Sequence, residues 1–324
     1  MATLRAPVVR SAGAPELPLL KVDAGPLRAA FAPTRGGRLL SLASEGEELL
    51  WQNPELLDAG LNPRQPQSRW PQGNGGMGTW ANVGGSKTWP APQGWDGPDM
   101  WAGPPDPFLD SGAWSSDAWT SEISEHDLTI HVRMVSPDDR RSGLRITRTF
   151  VFTDGGLEFS ENITLLNIAD RTIRWSPWEV CQVRTSPGGL ITFVGSSPIQ
   201  MRELGLYEGS AAIALGAEGV AYETGLGVSK HGCIGGTGAV RYRRSSGTTL
   251  TLSVSPIDGA EYPDGGCRTE VWLQRPTDLP IDALAGLHPD AHLAELEVLG
   301  PLVSLEPGES NSVTVNWSVT RDLD

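Results

Sequence analysis

Apolar and polar residues alternate in short runs along most of this chain, and glycine or proline closes nearly every run. Residues 27–33 ("LRAAFAP"), 38–43 ("RLLSLA") and 128–135 ("LTIHVRMV") fit the two-residue period of a strand better than any helical period. In "LRITRTFVFTDGGLEFSENITLLN", Leu144 and Ile146 open a mixed alternation, Asp154, Gly155 and Gly156 form a turn, and Leu157 and Phe159 resume the pattern, which predicts a hairpin. The last third repeats this grammar in "TTLTLSVSP", "RTEVWLQRP", "AELEVLGP" and "SNSVTVNWSV", with "LEPGES" as the turn before the final strand. The best helical candidate, Leu279–Leu287 ("LPIDALAGL"), is short, carries Pro280 near its start and is interrupted by Gly286. Strands joined by turns at this frequency predict an all-β protein of packed antiparallel sheets rather than βαβ units. No fixed-period repeat and no low-complexity linker is visible, so one domain over residues 1–324 is expected, and neither a propeller nor a solenoid.

Residues 70–119 break the grammar. They hold seven of the twelve tryptophans, together with seven prolines and ten glycines. That composition predicts neither regular helix nor long strand, hence a loop. A loop exposing so much indole would form an apolar patch of the kind that marks binding sites, so the segment is expected to fold over a sheet face and line a pocket. Indole plates suit the apolar C–H face of a pyranose ring, and Asn74, Asn82, Lys87, Gln93, Asp96, Asp99 and Asp106 supply polar partners in the same stretch. Trp89, Trp95 and Trp101 are the candidate plates. The competing reading is a small core that pins a long crossing loop, because tryptophan is highly buried on average.

Charge and cysteine usage narrow the partners. The formal net charge is -14, from 39 acidic and 25 basic residues, which disfavours nucleic acid and anionic membranes. There is no run of 18 apolar residues, so no membrane-spanning helix is expected. The start "MATLRAPVVRSAGAPELPLL" lacks a charged region followed by an apolar block, and the three cysteines, Cys181, Cys233 and Cys267, show no CxxC spacing. Both features point to a reducing, cytoplasmic setting. With 324 residues the chain can bury about three quarters of its unfolded surface without such staples.

Three stretches resemble the galactose mutarotase-like proteins, the aldose 1-epimerases and their relatives. These are "LRAAFAPTRGGRLLSLASEGEELLWQNPE" at 27–55, "TFVFTDGGLEFSENITLLNIADRTIRWSPWEV" at 149–180 and "ELEVLGPLVSLEPGESNSVTVNWSV" at 295–319. The phrase at Gly84–Gln93, "GGSKTWPAPQ", resembles an uncharacterised branch of that superfamily. The resemblance implies a β-supersandwich with a sugar cleft on the concave face of a large sheet, no cofactor, and a small carbohydrate as partner. It also implies a histidine acid that protonates the ring oxygen and a glutamate base that takes the anomeric proton. Glu270 in "TEVWLQ" matches the base, and strand alternation places Glu270, Trp272 and Gln274 on one face; an exposed strand glutamate is the plainer reading. The acid departs from the pattern. Trp178 falls near the expected histidine, with Gln182 on its face and Glu179 on the other, and an indole N–H cannot titrate usefully. A second family phrase containing histidine is replaced by "NVGGSK", which offers Asn82 or Lys87 instead.

Substitute acids are few. Lysine occurs only at Lys21, Lys87 and Lys230, and the last two lie in stretches that read as glycine-bearing loops. His231 follows Lys230 in "GLGVSKHGCIGG", where glycines permit close approach of a ligand, although a plain surface loop explains it as well. Tyr262 and Asp264 in "AEYPDGGCRTE" sit just before the Glu270 strand, in what is also ordinary turn chemistry. His126 and His131 fall on alternate faces, while His288 and His292 share a face but are separated by Pro289, so no metal site is expected. The candidates are thus Glu270, Lys87, Lys230 and His231 for catalysis and Asn82, Trp89, Gln93, Trp95, Trp101, Trp178, Gln182, Tyr262, Asp264 and Trp272 for sugar contact. Three functions remain open: a mutarotase-type isomerase, a lyase or hydrolase of an acidic saccharide, and a binding or sensing protein that has lost the acid.

Overall fold

The structure, a computed structural model, describes residues 8–322 except 74–75, 95–96, 98, 105, 125–126, 186, 196–198, 209–211, 217–218 and 224–226. Among the described residues the strands assemble into two antiparallel sheets, one of twelve strands and one of ten. The larger runs through Leu19–Ala24, Leu27–Ala32, Arg38–Ser44, Ser86–Ala91, Ile173–Arg184, Leu293–Leu299, Cys267–Gln274 and Val228–Ile234 to an edge at Gln200–Glu208. The smaller places Ser310–Arg321 between Thr248–Val254 and Glu158–Asn167, and ends on Leu144–Thr153, Asp127–Val135 and Ser115–Ser124.

The predicted alternation explains how the sheets meet. Leu144, Ile146, Phe150 and Phe152 turn one face of their strand inward, while Val313, Val315, Trp317 and Val319 do the same from the last strand. They pack on Phe31, Cys181, Val271 and Leu296 of the larger sheet in one continuous core, with Phe31 and Phe150 ring centroids 4.8 Å apart.

A buried ion cluster also joins the layers. Arg148 of the smaller sheet donates to Glu161 Oε1 at 2.6 Å and to Glu179 Oε1, on the larger sheet, at 2.9 Å. Thr88 and Ser86 donate to Glu179 as well, and Trp317 donates to Glu161 Oε2. Burial pushes the Glu179 carboxyl up to about 8, against the opposing pull of Arg148.

Three central strands depart from simple alternation. Ser86–Ala91 and Leu293–Leu299 are buried at every position, and Ile173–Arg184 nearly so. Their outer face is roofed, yet it carries Lys87, Gln182, Glu295 and Glu297, all polar and all buried. A sheet face covered on both sides but built from charged groups is costly unless those groups are paired.

Leu279–Leu287, the best helical candidate, contains a single 3-10 turn, Asp282–Leu284, ended by Ala285 and Gly286 in left-handed conformation. One expectation is corrected. The tryptophan segment is not wholly loop, because Ser86–Ala91 inserts as a strand beside Ile173–Arg184. Pro90 pairs directly with Pro177, an arrangement that works only where neither residue must donate to the other. Trp119 belongs to the ten-residue strand Ser115–Ser124 at the far edge of the other sheet. Among the described residues no helix is long and apolar enough to cross a membrane.

Candidate functional site

Register decides which side chains share the outer face. Lys87 lies opposite Val180 and Trp89 opposite Trp178; Val180 lies opposite Glu297 and Gln182 opposite Glu295. The next strands continue the rows, Glu297 with Glu270 and Glu295 with Trp272, and then Trp272 with Lys230. Five strands therefore bring Lys87, Trp89, Trp178, Gln182, Lys230, Glu270, Trp272, Glu295 and Glu297 to one surface.

A cavity of about 160 Å³ opens over these rows, walled by Trp80, Trp89, Trp272, Tyr207 and Met77 and bearing Gln93, Gln182, Lys230, Asp264, Gln274 and Glu295 as its polar groups. The roof is held by backbone contacts, including Met77 N–H to the Ala285 carbonyl at 2.8 Å. Two glycines precede the strand that carries Lys87 and Trp89. Gly84 and Gly85 have φ of 95° and 77°, and a Cβ on Gly84 would stand 2.2 Å from the Trp51 carbonyl. Only glycine lets the chain turn there and start the strand that carries Lys87 and Trp89.

The polar groups form two ion clusters. Lys87 Nζ and Gln182 Nε2 converge on Oε1 of Glu295, at 2.8 and 2.7 Å, and no hydrogen bond engages Oε2 of that carboxylate among the described residues. Lys87 also lies over the Trp89 ring, 4.4 Å from its centroid, and burial lowers its pKa against the opposing pull of Glu295. In the second cluster Lys230 Nζ is 2.7 Å from Glu270 Oε2 and 3.2 Å from Glu297 Oε2, and it sits 4.4 Å over the Trp178 ring. Burial raises the pKa of Glu270 well above the carboxylate range, opposed by Lys230, and raises that of Glu297 likewise. Burial opposes the charge on Lys230, but Glu270 and Glu297 outweigh it and its pKa rises. One ammonium cannot neutralise two dry carboxylates, so burial prevails over the pull of Lys230 and both carboxyl pKa values rise.

No protein-family model matches the sequence, and no curated protein matches it significantly. Solved structures do. A putative mutarotase from Salmonella typhimurium superposes over 97% of this chain and 94% of its own, with a TM-score of 0.58 and 13% identity. A galactose mutarotase-like protein from Clostridium acetobutylicum covers 98% and 99%, with a TM-score of 0.55 and 11% identity. The chain has the galactose mutarotase-like fold. A TPR-domain containing protein from Parabacteroides distasonis also matches, with a TM-score of 0.59 and 12% identity over 98% of this chain, which spans 54% of that protein's length.

On this mutarotase-like sandwich the sequence candidates separate. Trp89, Gln93, Gln182, Lys230, Asp264 and Trp272 line the cavity. Glu270, Lys87 and Trp178 lie on the same face but beneath it, each almost fully buried, and do not border the cavity. Glu270 reaches the cavity surface only through Lys230, whose Nζ is 2.7 Å from Glu270 Oε2 and which borders the cavity. Trp101 packs behind Trp89, ring centroids 4.8 Å apart, and is a wall support. Lys87, Lys230 and His231 were expected in loops and lie in strands, and His231 pairs with Val271 on the core side of the sheet, away from Lys230. Asn82 closes its own turn by accepting the Gly84 N–H. Tyr262 is buried outside the cavity, its hydroxyl accepting the Ile257 N–H. Trp95 lies outside the described residues.

Sequence reasoning missed Glu295 and Glu297 as site groups, along with Trp80. The signal was present in "AELEVL", where two glutamates alternate with apolar residues inside a strand that is otherwise wholly apolar. A buried carboxylate at every second position of such a strand implies partners on its neighbours.

Proposed function

We propose that the protein binds a single sugar ring over Trp272 and interconverts its anomers, with Glu295 as base and Lys230 as proton donor. The observation that carries this reading is the placement of Glu295 and Lys230 on either side of Trp272 in one row across three strands. Their Cα atoms are two strand spacings apart, about 9.5 Å, which leaves room for one pyranose between the side chains. Anchored through Oε1 by Lys87 and Gln182, Glu295 can direct Oε2 to an anomeric hydroxyl. Removal of that proton forms the C1 carbonyl as the C1–ring oxygen bond breaks, and Lys230 delivers a proton to the departing ring oxygen. The protonated carboxyl shared by Glu270 and Glu297 restores the ammonium. Rotation about C1–C2 and the reverse transfers close the other anomer, so no proton is gained or lost. Glu270 is thus a positioning residue in this scheme. The fold shared with a putative mutarotase supports it. Following anomer exchange of several aldoses by NMR tests it, and no acceleration with any aldose would defeat it.

One observation favours a second reading, a non-catalytic sugar receptor. Trp178, which the resemblance aligns with the acid histidine, spends its only N–H on Glu297 at 2.8 Å and donates nothing to the cavity. Saturable quenching of tryptophan fluorescence by sugars without anomer exchange is the outcome expected of a receptor.

A further inference from the structure

The charges around the cavity are unbalanced. Four carboxyl groups, Asp264, Glu270, Glu295 and Glu297, face two ammonium groups, Lys87 and Lys230, both held by carboxylates, and the guanidinium of Arg202 beside Gly265. The surplus lies at the mouth. The Asp264 carboxylate borders the cavity and has neither an ion pair nor a hydrogen bond among the described residues, although Arg202 packs against the adjoining Gly265. Glu295 presents a second oxygen without a partner.

Independent of charge, the walls contain polar atoms awaiting a ligand. Gln182 is 1% exposed and Trp89 3%, both border the cavity, and neither Gln182 Oε1 nor Trp89 Nε1 has a hydrogen-bond partner in the described structure. Buried polar atoms left unpaired are costly, and a ligand that satisfies them recovers that cost. Counted together, Asp264, Glu295 Oε2 and Gln182 Oε1 are acceptors, the indole of Trp89 is a donor, and the Gln93 amide can serve as either. A volume of about 160 Å³ falls below the range of roughly 300–1,000 Å³ common for drug-sized ligands, so one ring fits and an oligosaccharide does not.

Resting on the sugar reading above, we infer that the cavity selects a monosaccharide bearing a protonated amine over neutral and acidic monosaccharides. An ammonium group supplies several donors and a positive charge to a site rich in acceptors and carrying surplus negative charge, and Asp264 is the carboxylate it would meet. A phosphate or uronate would face like charge, and Lys230 offers it little attraction because Glu270 and Glu297 already flank that ammonium. Asp264 sits at φ 52°, a conformation that asparagine also tolerates, so its charge can be removed without disturbing the turn.

The test is fluorescence and calorimetric titration of the full chain at about pH 6, where amines of this kind are protonated. The panel comprises glucosamine, galactosamine and mannosamine, their parent hexoses, their N-acetyl derivatives and glucose 6-phosphate. The best amino sugar should bind at least about tenfold tighter than its parent, a difference of about 1.4 kcal/mol, and its N-acetyl derivative should lose that advantage. Asp264→Asn should weaken the amino sugar more than the parent. If parents or N-acetyl derivatives bind as tightly as the amines, the amine selection is overturned while sugar binding stands. If no sugar in the panel binds, both readings fall.

Discussion

Trp178 donates its indole N–H to Oε2 of Glu297 at 2.8 Å, the oxygen that also lies 3.2 Å from the Lys230 ammonium. The indole is a neutral donor that does not titrate. Lys230 and the two carboxyl groups beside it are the proton carriers of the proposed scheme.

Replacing Glu295 by glutamine keeps its shape but removes the base. Anomer exchange should fall by about 10²–10⁴-fold, the usual contribution of a positioned acid or base, while sugar affinity changes far less. NMR exchange spectroscopy alongside fluorescence titration separates the two effects, and an unchanged exchange rate would exclude Glu295 as the base.

Lys230→Met would leave Glu270 and Glu297 buried with no cation. Breaking one side of a buried pair costs about 3–5 kcal/mol, so the urea midpoint should drop sharply. A second substitution, Glu270→Gln, should recover part of the loss. Equal midpoints for the single and double variants would mean that the cluster is not coupled in this way.

The Arg148–Glu161–Glu179 cluster predicts a pH dependence of stability. In the folded chain the Glu179 carboxyl is raised from 4.5 to about 8, so between these pH values the folded state holds a proton that the unfolded state has released. Stability therefore falls as pH rises through this window, and this contribution levels off above about pH 8. Glu270 and Glu297 act in the same direction. Urea midpoints measured across the window should slope less for Glu179→Gln than for the parent chain, and parallel slopes would contradict the assignment.

Gly84→Ala places a Cβ 2.2 Å from the Trp51 carbonyl at a φ of 95°. The strained conformation alone costs about 1–3 kcal/mol, and relief of the clash must shift the strand bearing Lys87 and Trp89. Both the thermal midpoint and sugar affinity should fall. Loss of stability with full affinity would show that this turn does not set the cavity wall.

Much of the architecture was legible along the chain. The alternation in 144–153 and 310–321, the turn at Asp154–Gly156 and the β-branched runs of the last third appear as strands where periodicity put them, because one face of each meets the core and the other meets water. The apolar spacing over 279–287 serves a cavity wall rather than a helix face, with Leu284 and Leu287 lining the cavity. Ser86–Ala91 was misread because its two-sided burial erases alternation and its proline suggests a break.

By itself, then, the sequence determined the all-β class, the shared face of Glu270, Trp272 and Gln274, and the presence of an indole-rich wall, since all three follow from local period and composition. Only the tertiary structure decided who meets whom. Lys87 and Glu295 are 208 residues apart, and of the strand carboxylates Glu295 borders the cavity while Glu270 does not, because register placed Glu295 beside Gln182 and Lys230 lies against Glu270. Register is set by the packing of whole strands against one another, and no local pattern along the chain encodes it.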